Sequence, residues 1–111
     1  IDNVYIVGSH GTILHFNGNE EGEWKPMESG TEEYLLSIWG SSSNDIFAVG
    51  DNATILHYDG NSWNSMDSIT EKYLTKVRGL RSDCVYAVGD DGLVIRFDGE
   101  KWNDMSLGEG S

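Results

Sequence analysis

Three stretches of the chain carry the same succession of apolar and polar positions. The first reads NVYIVGSHGTILHFNG from Asn3, the second DIFAVGDNATILHYDG from Asp45, and the third CVYAVGDDGLVIRFDG from Cys84. Each opens on a continuous apolar run (VYIV, IFAV, VYAV), the pattern of a strand covered on both faces. A Gly-containing turn (GSHG, GDNA, GDDG) then leads into TILHF, TILHY or LVIRF, rich in β-branched and aromatic residues and predicted as the second strand of a hairpin. NG or DG turns the chain again into W-x-x-M, at Trp24 and Met27, Trp63 and Met66, and Trp102 and Met105. YLLSIWG from Tyr34 and YLTKVRG from Tyr73 supply one more strand each, running into the next copy. No window sustains a 3.6-residue apolar period, so helix is expected to be nearly absent.

The equivalent glycines Gly8, Gly50 and Gly89 lie 42 and then 39 residues apart. The longer first step comes from NEEGE after Gly18, where the other copies have NS and EK; a surface turn tolerates such an insertion. A period of about 40 to 45 residues with four strands per unit is the signature of a β-propeller blade. The expected fold is all-β: residues 1–111 form one partial propeller of four-stranded antiparallel blades, with repeats at 1–33, 34–72 and 73–111.

Beyond the period, VYAVGDDG, an apolar strand, DG and Trp, together with LLSIWGSSSNDIFAVG, resemble bacterial propeller repeats of the VWAVG…GTILHYDG…W type. That group is related to the Asp-box repeats of sialidase-like and photosystem II assembly-factor propellers. HYDGNSW at His57 to Trp63 is one residue shorter than S-x-D-x-G-x-T-W and has His in place of the leading Ser. The resemblance implies that the YLLSIWG strand is innermost, lining a central channel, and that W-x-x-M forms the outer edge. It also points to an exported or cell-surface bacterial protein.

Counted on this scheme, the chain holds about 2.75 blades. Ile1 aligns with Ser43, just after an inner strand, and Ser111 aligns with Lys72, just before one. Rings need about four blades or more, and an open arc leaves apolar faces uncovered. The chain is therefore expected either to be part of a longer propeller or to self-associate to close the ring.

Charge narrows the partners. Seven Lys and Arg against nineteen Asp and Glu give a net charge of -12. Such a surface repels phosphate backbones, so no nucleic acid is expected as partner. No apolar run reaches the ~18 residues of a membrane span, and no membrane insertion is expected. The single cysteine, Cys84, excludes an internal disulfide and a cysteine-based zinc cluster.

Candidate chemistry is sparse. His15 and His57 occupy equivalent strand positions, but Arg96 replaces them in the third copy, which favours hydrogen bonding within each repeat over metal ligation. His10 aligns with Asn52 and Asp91, all turn residues. Asp51, Asp90 and Asp91 sit in turns that could take calcium, yet these are also ordinary turn residues; no metal or cofactor is expected. Cys84 has no basic neighbour to activate it and reads as an inert thiol. The three arginines Arg78, Arg81 and Arg96 do not form the convergent set a sialidase needs, and no Ser-His-Asp, phosphate-loop or H-E-x-x-H pattern is present. Repetition of Trp24, Trp63 and Trp102 argues for packing between blades. Trp39 and Arg78 differ between copies at the channel end of the inner strand, and are the candidates for ligand or partner contact. The expected function is a non-enzymatic binding or scaffold module for a protein or polymer. A carbohydrate-binding, lectin-like propeller is the alternative, and an Asp-box glycosidase the remote one.

Overall fold

A computed structural model describes residues 4–16, 24–42, 44–66 and 73–105. These form three antiparallel sheets in chain order. The first contains β1 (Val4–Val7), β2 (Ile13–Phe16) and β3 (Trp24–Met27). The second contains β4 (Leu35–Ser42), β5 (Asp45–Gly50), β6 (Thr54–Tyr58) and β7 (Trp63–Ser65). The third contains β8 (Leu74–Arg81), β9 (Cys84–Gly89), β10 (Val94–Phe97) and β11 (Trp102–Asp104). Each sheet is a simple meander in which the YLLSIWG-type strand, where described, is at one edge and the tryptophan strand at the other.

Side-chain alternation in β5 explains its unbroken apolar run. Ile46 and Ala48 enter the core shared with the first sheet, while Phe47 and Val49 enter the core shared with the third. All four are at most 3% exposed. The expectation of two covered faces fails in the flanking sheets. Ile6, at the place of Ala48, is 46% exposed, and Tyr86, at the place of Phe47, is 37% exposed. Among the described residues only the second sheet has a neighbour on each side.

The inner strands β4 and β8 are long and bulged at the same two places, between Leu35 and Ser37 and between Gly40 and Ser42 in one, and between Leu74 and Lys76 and between Gly79 and Arg81 in the other. Bulges increase local twist. They bring the Tyr34 and Tyr73 carbonyls across the ends of β5 and β9, where Asp51 and Asp90 donate their backbone N–H groups at 3.0 and 3.3 Å. A Cβ on Gly50 or Gly89 would lie about 2 Å from those carbonyl oxygens. Glycine is therefore a steric requirement there.

The hairpin turns close as a single 3-10 turn at Ser9–Gly11, Asp51–Ala53 and Asp90–Gly92. Their last residue is left-handed in each copy: Gly11 at φ 70°, Ala53 at 60° and Gly92 at 76°. The DG turns that follow are pinned by their aspartates. Asp59 accepts backbone N–H groups from Asn61 and Ser62 at 2.8 and 3.0 Å, and Asp98 accepts those of Glu100 and Lys101 at 2.9 and 3.0 Å. The insertion at 19–23 and the acidic run at 20–23 lie outside the described residues.

Two expectations follow for stability. Gly89→Ala should lower unfolding free energy by about 3 kcal/mol through the carbonyl clash, whereas Gly92→Ala should cost about 1 kcal/mol, since alanine occupies that place in the second sheet. Denaturant midpoints with an unchanged slope report both; equal losses would remove the steric account. The Ser62 and Lys101 backbone N–H groups, joined by those of Asn61 and Glu100, hold the Asp59 and Asp98 carboxyls below the usual aspartate range. A depressed carboxylate stabilises the fold above its unfolded pKa, and that contribution is lost as pH falls through the folded value. Asp59→Asn with Asp98→Asn should therefore flatten the decline in melting temperature below about pH 4.

Candidate functional site

β4 and β8 lie side by side as the inner strands of adjacent sheets. Trp39 is paired with Phe47 across β4 and β5, and Arg78 with Tyr86 across β8 and β9, so the two candidates hold the same register place. Their side chains differ in fate. The Trp39 indole lies on Gly79 of β8, where an added Cβ would be 2.6 Å from the ring. Its centroid is 6.5 Å from that of Phe47. Trp39 thus packs across the joint between the second and third sheets and is half-buried there. Arg78 is exposed, and its guanidinium donates to the Val77 carbonyl at 2.7 Å.

β8 also exposes Lys76 and Arg81. Three of the chain's seven lysines and arginines therefore stand on one inner strand. Arg81 pairs with Asp83 at 2.8 Å, both groups largely in solvent, where such pairs contribute little. Lys76 was not singled out by the sequence reading; the signal was the crowding of cations in an otherwise acidic chain.

A cavity of about 290 Å³ opens between the first and second sheets, walled by Tyr5, Ile38, Gly40 and Ile46 beside Trp39. The Tyr5 ring stacks on His15 with centroids 4.4 Å apart and planes 9° from parallel. Partial burial, with the neighbouring Tyr58, pushes the Tyr5 hydroxyl up from its ordinary pKa.

The equivalent His57 hydrogen-bonds Asp45 at 2.7 Å, and Ser41 donates to the other oxygen of that carboxylate. The same two positions in the third sheet are Cys84 and Arg96. Contrary to the sequence reading, Cys84 does have a basic neighbour: its hydrogen bond to Arg96 is the main influence holding that guanidinium above its ordinary value. The contact is across the sheet, between residues 12 apart in the chain, so no local motif announces it. The thiol is buried. Among the described residues, no group of three or more His, Cys, Asp or Glu is placed to hold a metal ion. None of their helices is long and apolar enough to cross a membrane.

No family model matches the sequence, and no curated protein matches it significantly. A solved structure does: YCF48 bound to D1 peptide, with TM-score 0.72 and 19% identity, over 93% of this chain and 36% of that one. The fold is part of a β-propeller. The chain spans about a third of the neighbour's length.

In blade terms, the register tryptophans face backwards. Trp63 of the second blade donates its indole N–H to the Met27 sulfur of the first at 3.5 Å. Trp102 of the third blade meets Phe47 of the second edge-on at 6.1 Å, and Met66 packs against the same cluster. Trp63 and Trp102 are 7% and 4% exposed, but Trp24 of the first blade is 42% exposed. Its preceding side is uncovered among the described residues. Trp63→Ala should then cost about 3–5 kcal/mol, and Trp24→Ala about 1 kcal/mol or less, in this chain. Equal losses in paired denaturation curves would show that Trp24 is covered in solution.

Proposed function

We propose that this chain is part of a non-enzymatic propeller that binds a protein partner, with the exposed cations of β8 as the contact surface. The observation that carries the reading is the placement of Lys76, Arg78 and Arg81 on one inner strand of a chain whose net charge is -12. Such a local reversal attracts a carboxylate-bearing segment while the surrounding charge repels anions elsewhere, which favours specificity over general stickiness. Arg78 supplies a planar fork for a carboxylate, and Lys76 a mobile point charge beside it. Trp39, partly buried on Gly79 of β8, adds apolar surface to the contact. The peptide held by the YCF48 structure supports a protein over a polysaccharide as partner.

The test is a pair of arrays probed with the same protein. Immobilised acidic peptides should retain the chain, and Lys76→Glu with Arg78→Glu should weaken retention by about tenfold or more while leaving the melting temperature within a few degrees. Glycan spots should remain silent. A glycan-specific signal lost on Tyr34→Ala, with no acidic-peptide signal, would replace this reading with the lectin one; Tyr34 and Tyr73 repeat in register and are 55% and 48% exposed.

A further inference from the structure

The segment from Glu28 to Tyr34 joins β3 of the first blade to β4 of the second, and it is bound tightly on the way. The Glu33 carbonyl accepts the Gly11 backbone N–H at 2.8 Å, and the Leu35 N–H reaches the Gly8 carbonyl at 2.9 Å. A Cβ on Gly11 would lie 1.9 Å from the Thr31 carbonyl oxygen, so glycine alone fits under the segment. The Ser29 hydroxyl donates to the Thr31 carbonyl and accepts the Thr31 N–H, each at 3.3 Å. The Thr31 hydroxyl accepts the Glu33 N–H at 3.2 Å. Between this segment and the first hairpin turn lies a groove of about 700 Å³. Its walls come from the first blade and its own connecting segment, so it is a feature within one blade and not an uncovered blade face.

At one rim of the groove His10 pairs with Tyr34, with ring centroids 6.5 Å apart and planes 22° from parallel. Tyr34 keeps 55% of its surface in solvent. Glu28, Glu32 and Glu33 stand on the groove walls, where His10 is the one basic side chain. We propose that this groove binds an arginine-bearing segment of a protein partner, with the guanidinium laid on the Tyr34 ring and its N–H groups directed at the glutamates. The site is a second contact surface, opposite in charge preference to the cations of β8 and independent of them.

Three properties of the groove select that occupant. The face of an exposed tyrosine attracts a cation through its ring quadrupole. A guanidinium is flat and weakly hydrated, so it stacks where a lysine ammonium would remain in water. Its fork of N–H donors then meets carboxylates in pairs, which an ammonium cannot do. The net charge of -12 draws cationic segments to the chain without choosing a place for them, and the groove supplies the place. A neutral sugar would also stack on Tyr34 but gains nothing from the excess of negative charge. The hydrogen bonds of the connecting segment are made before anything binds, so little ordering remains to oppose binding.

The probe is a fluorescein-labelled peptide, GSRGSRGSG, titrated with the 111-residue chain and read by anisotropy. Saturable binding below roughly 1 mM is expected, weakened several-fold by about 0.5 M sodium chloride. The same peptide with lysine in place of arginine should bind more weakly, and this comparison uses the unaltered chain, so it does not depend on how any variant folds. Tyr34→Ala, and separately Glu32→Gln with Glu33→Gln, should each weaken binding by about fivefold or more at an unchanged melting temperature, while Tyr34→Phe retains it. Lys76→Glu with Arg78→Glu should leave this binding intact, which separates it from the contact proposed on β8. No saturable binding overturns the proposal. So does equal binding of the lysine peptide, or binding that Tyr34→Ala leaves unchanged. A glycan signal lost on Tyr34→Ala, without arginine-peptide binding, overturns it and gives the ring to a sugar.

Discussion

Phe47 is the contact on which the arrangement of the second and third blades depends. Its ring lies 5.5 Å from Phe97, 6.1 Å from Trp102 and 4.7 Å from His57, and it is fully buried. Strand alternation puts it on the face opposite Ile46 and Ala48, which serve the first joint. A single strand thus fastens both neighbours, and a one-residue slip would exchange the two sets of side chains. The bulges of β4 and β8 hold that register by drawing the Tyr34 and Tyr73 carbonyls over Gly50 and Gly89, leaving no space for a side chain.

The fold was legible because every signal that specifies a blade is local and repeated. Apolar runs, Gly-containing turns and the NG or DG pair before each tryptophan recur in step, and the two DG aspartates within the described residues make the same backbone hydrogen bonds. Repetition also gave the burial of Trp63 and Trp102 correctly. It failed for Trp24, because equal sequence gives equal burial only when equal neighbours are present.

The site was less legible, for a physical reason. Its deciding contacts join residues far apart in the chain that differ between copies. Nothing near Trp39 in sequence reveals that Gly79 receives it, 40 residues on. The pairing of Asp45 with His57 and of Cys84 with Arg96 has the same character: both members change together, and the contact forms only when the sheet does. Trp102 shows the complementary limit. Its indole N–H is buried without a hydrogen-bond partner among the described residues, whereas that of Trp63 reaches the Met27 sulfur. A buried unmatched donor costs about 1–3 kcal/mol, so the second joint is held by packing and the first has both packing and a weak polar contact.

Trp39 and Arg78 illustrate how one register position can serve two ends. An indole at this place is apolar over most of its surface, and the joint ahead of it offers a glycine floor and aliphatic walls. A guanidinium cannot enter such a place without a partner, because desolvating a charge costs far more than the packing returns. Arg78 instead remains exposed and donates to the carbonyl of Val77. Arg78 lies on the third sheet, whose far side has no neighbouring sheet among the described residues, and it stands two residues from Lys76 on the same strand. The two described residues at this register place differ: Trp39 fills a joint on Gly79, while Arg78 is left free to meet solvent. The cations of β8 are the point in the described residues where that freedom coincides with a reversal of the surrounding charge, and this coincidence gives the protein-binding reading its physical basis.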